Sequence, residues 1–130
     1  MSVAAEGGNE DRKSIAVEFL RLLRTGDREG ATRLVAPDAR HHSAYFPAGM
    51  PTLIDAAVEA ARHAPDRASD VRLVVGDGDH VAVHSHVWHK HGDAGVSVVH
   101  IFRFQGDRIA ELWDVGQQVP ADSPNADGMF

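Results

Sequence analysis

Five of the nine histidines lie within twelve residues, "HVAVHSHVWHKH" at 80–91. An imidazole ordinarily titrates near 6.5, so at neutral pH it can move a proton or ligate a metal. Side chains alternate across a strand, so the His84-x-His86 spacing presents two rings from one face. His100 stands in a second extended run, "VSVVHIFRF", and His41 and His42 lie in the stretch "DARHHSAYFPAGMP". If these strands pair so that His84, His86 and His100 share an interior, three imidazoles converge, with His41 or His42 from the loop above. Two chemistries follow. One is acid–base work on a carbonyl compound, with His100 as base and His84 or His86 polarising the oxygen. The other is a three- or four-histidine metal site from His42, His84, His86 and His100, a donor set suited to zinc, iron or nickel. "GDHVAVHSH" also has the opening spacing of a cupin metal motif, but the glutamate that should follow is missing.

The other histidines have plainer roles. His89 and His91 fall in the turn "HKHGDAG" and are expected in solvent. His63 suits the negative end of a helix. His80 follows a turn, near a strand end.

Elements that can hold such a site are visible in the hydrophobic spacing. Residues 1–9 are small and polar and are expected to be frayed. A helix follows from Glu10 to Thr25, with Ile15, Phe19, Leu22 and Leu23 on one stripe and Gly26 at its end. A short helix over Asp27–Val35 stops at Pro37, and a third over Thr52–His63 stops at Pro65. The segment between these two is expected to be irregular. Beyond Pro65 the period becomes two. "VRLVVG", "HVAVHSHVW", "VSVVHIFRF" and "RIAELWDV" are expected to be strands, with hairpin turns at "GDGD" and Gly106-Asp107. Helices first and an antiparallel sheet second define an α+β fold, with a pocket between the layers.

Parity divides the residues between the faces. Arg103 disfavours its own face as core, so Val96, Val98, His100, Phe102 and Phe104 are expected inside. A two-residue turn at Gly106-Asp107 pairs Gln105 with Arg108. It sets His100 opposite Trp113, places Glu111 beside Trp113, and sends Asp114 to the other face. Trp88, Trp113, Phe102, Tyr45 and Glu111 are then the candidate substrate-binding residues, their aromatic surfaces suited to a flat ligand. Val81, Val83, Val87, Val99 and Ile101 are expected to point away from the pocket and to form the interface of a homodimer.

The totals limit the partners. The chain of 130 residues is 43% hydrophobic and 25% charged, which suits one globular domain. A net charge of −6 with scattered basic residues disfavours nucleic acid and anionic membrane. No apolar run is long enough for a membrane span, and the first residues lack the order of a signal peptide. The absence of cysteine removes disulfides and thiolate chemistry. A cytoplasmic protein is expected.

"VAVHSH", "VVHIFRF", "RIAELWDVGQQVP" and the closing "NADGMF" resemble the SnoaL-like polyketide cyclases, in particular their aldol-condensation branch, within the nuclear transport factor two-like superfamily. The resemblance runs from about Ile15 to Phe130. It implies a single domain shaped as a cone, with three helices on a curved antiparallel sheet, commonly dimeric through the outer face of the sheet. It also implies a small, hydrophobic or polyketide-like carbonyl substrate and lyase or isomerase chemistry of aldol type. The family's catalytic acidic position falls on His100, its second-strand polar pair on His84 and His86, and its loop histidine on His42. The family's usual histidine before Trp-Asp is Leu112 here. A non-catalytic small-ligand-binding module is the alternative use of such a fold.

Overall fold

The computed structural model describes residues 3–130, with side chains from Gly8 onward. Helix α1 spans Val3–Thr25, α2 Arg28–Arg33 and α3 Met50–His63. The strands are β1 Val35–His42, β2 Ala68–Asp77, β3 His80–Trp88, β4 Val96–Gln105 and β5 Arg108–Gln118. They form one sheet in the order β1-β5-β4-β3-β2, antiparallel throughout except for the parallel pair of β1 with β5. Three helices cover one face. This is the expected α+β cone, with one strand more than the hydrophobic pattern revealed.

Three departures from expectation matter for the site, beside small extensions of α3 to Met50, β2 to Ala68 and β5 to Gln118. Residues 1 and 2 of the segment expected to fray lie outside the described residues, whereas α1 is already helical at Val3. Polar ties fix this end: Asn9 Nδ2 donates to the Gly78 carbonyl (2.9 Å) and Arg12 to the carbonyls of Gly78 (3.0 Å) and Gly106 (3.0 Å). Both hairpin tips are thereby tied to the first helix. The second departure is α2, which ends at Arg33 and gives way to β1. Its N-cap is Asp27, whose carboxylate accepts from the Gly30 N–H (2.9 Å). The third is β1 itself, in a segment expected to be irregular. Pro37 and Asp38 hide it, because the register shifts between Val35 and Arg40 and these residues do not join the ladder regularly. Beyond the shift alternation is clean: Ala39 and His41 are buried and Arg40 is exposed.

The core lies between the helices and the inner face of the sheet. Ala16, Phe19 and Leu22 of α1 and Leu53, Ile54 and Val58 of α3 pack there. The sheet answers with Val81, Val83, Phe102, Phe104, Ile109 and Leu112. Phe19 meets Phe102 edge-on, with centroids 6.1 Å apart. Phe102 is therefore a core residue with no exposure, and not a ligand contact.

Two registers decide which side chains reach the pocket. Between β3 and β4, Val83 lies opposite His100 and His84 opposite Val99. Directly opposed residues share a face. Val81, Val83 and Ser85 thus join His100, Phe102 and Phe104 on the inner face, and His84, His86 and Trp88 turn outward. This reverses the expected faces of β3. Both faces of that strand carry apolar residues, and packing against α1 selects the valines: Val81 and Val83 are 1% and 0% exposed. Between β4 and β5 the hairpin pairs Gln105 with Arg108 as expected, but the register then shifts, and Arg103 meets Glu111 while Phe104 meets Ile109. Ala110 is the extra residue of a β-bulge. Every later residue of β5 changes face relative to the simple count. His100 lies opposite Asp114, and Trp113 opposite Ile101.

Candidate active site

The inner face carries an apolar chamber of about 150 Å³, walled by Leu20, Leu23, Leu53 and Leu112. It opens toward a wider mouth of about 460 Å³ bordered by Tyr45, Phe46, His89 and Gln117. Phe46, Arg67, Val87, His100 and Asp114 line both spaces and mark the waist between them. Three polar residues thus meet at the waist of a mainly apolar enclosure, whose chamber also carries Arg24, Ser69 and Ser85, the usual make-up of a small-molecule site.

His100 is placed there by mid-strand position and parity on β4. Its Nδ1 is sealed from solvent, and no described residue hydrogen-bonds to it. Burial, reinforced by the Arg67 charge, pushes its pKa down to about 4. The ring is neutral at pH 7 and one nitrogen carries a proton to donate. Asp114 reaches the waist because of the bulge at Ala110. Burial raises its pKa, and Ser43 and His41 pull in the opposite direction. The Ser43 hydroxyl also accepts from the Tyr45 N–H (3.1 Å), which holds the loop after β1 near the carboxylate. His41 is 6% exposed, and both of its ring nitrogens are buried without a hydrogen-bond partner among the described residues. Burial lowers its pKa while Asp114 raises it. Arg67 comes from the turn that closes on the Ala64 carbonyl (3.0 Å) and leads into β2.

The other expected site residues lie on the outer face. His42 stacks on Trp113 (5.1 Å between centroids) and donates from Nε2 to Glu111 (2.6 Å). Arg103 donates to the second Glu111 oxygen (3.2 Å). The His42 bond, then Arg103, hold the Glu111 carboxyl below its usual range. His84 Nε2 lies 2.9 Å from the Ser97 hydroxyl, and His86 Nε2 donates to the Ala94 carbonyl (2.8 Å). His86 also stacks on Trp88 (3.8 Å) and on Phe130 (4.2 Å), which covers His84 as well (5.2 Å).

The expected convergence is therefore corrected. Of the four histidines, His100 alone faces the pocket, and His42, His84 and His86 belong to the outer face with Trp88, Trp113 and Glu111. The four-histidine metal set fails for the same reason, since its members sit on opposite sides of the sheet. Among the described residues no group of three His, Asp or Glu side chains could hold a metal ion. Tyr45 stays at the mouth. His89, expected in solvent, is exposed and also borders it. Arg67 was missed, Asp114 was expected on the opposite face, and His41 was named only as an alternative to His42. Parity within "DARHHSA" could have singled out His41, which alternates with Arg40 and His42. The bulge that turns Asp114 inward has no comparable sequence signal, and Arg67 reads as an ordinary turn residue.

A model of the SnoaL-like domain matches residues 16–112, and the chain belongs to that family. Solved structures share its fold at low identity. A candidate ketosteroid isomerase from Kribbella flavida is 17% identical, with 90% of this chain and 85% of that one covered and a TM-score of 0.70. A candidate polyketide cyclase from Sinorhizobium meliloti is 20% identical, with 78% and 94% covered and a TM-score of 0.65. An NTF2-like protein of unknown function from Cytophaga hutchinsonii is 11% identical, with 82% and 89% covered and a TM-score of 0.66. No curated protein matches the chain in sequence. No helix among the described residues is long and apolar enough to cross a membrane.

Proposed function

We propose that this protein is an enzyme acting on a small carbonyl compound by proton abstraction beside the carbonyl, leading to aldol-type cyclisation or isomerisation. The observation that carries the reading is the pairing of Asp114 with His100 across the waist of an apolar pocket. Asp114 is the base. A carboxylate made more basic by burial is better matched to proton abstraction near neutral pH than an exposed one. His100 is the electrophile, not the base, because a pKa of about 4 leaves its ring weakly basic. A neutral imidazole can still donate one hydrogen bond to the substrate oxygen, a pattern used where an enolate must be stabilised.

In the step itself Asp114 takes the α-proton. The C–H electron pair forms the enolate double bond, and charge gathers on the oxygen that accepts from His100. The enolate carbon then attacks a second carbonyl, whose π electrons move to its oxygen and take the proton back from Asp114, or, where the enolate is conjugated with a further double bond, the distal carbon takes that proton and the double bond shifts. His41, buried nearby, makes no hydrogen bond to the carboxylate and acts on it only through its charge, opposing the rise that burial imposes. The apolar chamber excludes water, which strengthens both interactions. The named isomerase and cyclase among the structural neighbours accord with this class of chemistry without specifying the substrate. A net charge of −6 disfavours a nucleic-acid partner.

The test requires no knowledge of the product. A panel of enolisable ketones and β-dicarbonyl compounds is incubated in deuterated buffer, and loss of the α-proton signal is followed by NMR. Wild-type protein should accelerate exchange on at least one compound, and Asp114→Asn should slow it by about 10²- to 10⁴-fold, the usual contribution of a positioned base. Exchange by Asp114→Asn at the wild-type rate would remove the base from this account.

A further inference from the structure

Arg67 is set apart from the other basic side chains. Arg21, Arg28, Arg62, Arg72 and Arg103 form ion pairs, and Arg12 and Arg108 donate to carbonyls. Arg24, Arg33 and Arg40 have no side-chain partner among the described residues, but they are exposed and water serves them. Arg67 also lacks a side-chain partner there, yet it is half-buried at the waist of the pocket. A guanidinium withdrawn from water without a counter-ion is costly, and the cost is relieved only by a partner that enters with the ligand. Asp114 does not fill that role: burial is the sole influence on Arg67, and Arg67 is not among the groups that shift the Asp114 carboxyl. Burial alone already disfavours the charged form of Arg67.

We infer that Arg67 is a recognition site for a carboxylate on the ligand, and that the protein's substrate is a monoanionic carboxylic acid with an apolar end. This rests on the reading of the pocket as a substrate site and adds the substrate's chemical class to it. A guanidinium presents two parallel N–H donors that match a carboxylate. Arg67 is the one arginine that borders both spaces, while Arg24, which also lines the inner chamber, is exposed to water, so the waist suits one negative charge better than the double charge of a phosphate. The inner chamber, at about 150 Å³, is of the size that accepts a single benzene-sized group. An aryl or short alkyl end would occupy it, and the carboxylate would lie at the waist between Arg67 and the mouth. The unpartnered His100 ring stands beside that position, so carboxylate and reacting carbonyl would be close neighbours on one molecule.

Binding of matched acids and amides tests this independently of turnover. Phenylacetate, 3-phenylpropanoate and 4-phenylbutanoate are titrated by calorimetry against their carboxamides, which share shape but carry no charge. Wild-type protein should bind at least one acid about tenfold or more tightly than its amide, as expected of a desolvated bidentate pair. Arg67→Gln should bring that ratio to about one while amide affinity stays within about twofold, and Arg67→Lys should keep part of the preference. Equal binding of acid and amide by the wild type would overturn the inference and leave the Asp114–His100 chemistry standing. A preference that survives in Arg67→Gln would overturn it as well, as would the failure of every acid to bind at millimolar concentration. Loss of amide binding in Arg67→Gln, with the fold intact by circular dichroism, would show a structural residue and also count against it.

Discussion

The depressed pKa of His100 has a consequence for stability that can be worked through. In the unfolded chain the ring titrates near 6.5, and in the pocket near 4. As pH falls through that interval the unfolded chain takes up a proton that the folded protein refuses, so folding stability is lost. Above about 6.5 neither form is charged, and below about 4 both are, so the loss is confined between these values. Fully developed, the difference corresponds to roughly 3 kcal/mol, and the opening of the pocket to solvent trims it to about 2 kcal/mol. Asp114 has the opposite sign, since a raised carboxylate pKa adds stability as pH falls. Comparing wild type with His100→Gln isolates the histidine, because Asp114 is common to both. Urea titrations at pH 7.5 and 4.5 should show the wild type losing about 2 kcal/mol more than the variant. Ring-proton NMR should find His100 still neutral at pH 5.5, and Arg67→Gln should move its titration upward. A His100 resonance that titrates near 6.5, or identical pH dependence of the two proteins, would refute burial as the dominant influence on this ring.

Gly95 has φ +85°, and a Cβ there would lie 2.5 Å from the Val87 carbonyl and 2.9 Å from His86 Nε2. Gly95→Ala should therefore cost about 2 kcal/mol or more, read as a lower urea midpoint with an unchanged slope. The outer face leaves Leu73, Val75 and Val115 exposed at 55%, 49% and 64%, beside the half-buried Val99 and Ile101. Patches of this kind are usually covered by a partner, so sedimentation at about 50 µM should give the mass of a homodimer, and Val115→Lys should give a monomer. A wild-type monomer at that concentration would show that this face is free.

Much of the fold was legible because it follows from spacing. The stripe through Phe19 and Leu22, the proline that ends α3 and the alternation after Pro65 each reflect burial of one face of a regular element. The glycines of both tight hairpins are equally local, with Gly78 at φ +60° and Gly106 at φ +61°. The site was harder to read because it depends on which face of a strand is inside. On β3, residues of both parities are compatible with a core, and only packing against α1 decides between Val83 and His84. On β5, one additional residue at Ala110 exchanges Trp113 for Asp114 at the pocket. A one-residue change of register moves a whole set of side chains to the other side of the sheet. His100 was found because Arg103 disfavours the opposite face, an argument that needs no partner strand. The residues expected to face outward divide for the same reason: Val99 and Ile101 do so, whereas Val81 and Val83 are in the core and Val87 lines the pocket.

The central claim is that the chemistry belongs to the inner pocket and not to the histidines of the outer face. The most direct measurement is the rate of α-proton exchange by two variants side by side on the same enolisable substrate. One is Asp114→Asn, and the other carries His42→Ala, His84→Ala and His86→Ala together. With both folded by circular dichroism, the inner variant should lose about 10² or more in rate, and the outer triple variant should stay within about threefold of wild type. Abolished exchange in the triple variant, with Asp114→Asn unaffected, would contradict the account and return the site to the opposite face of the sheet.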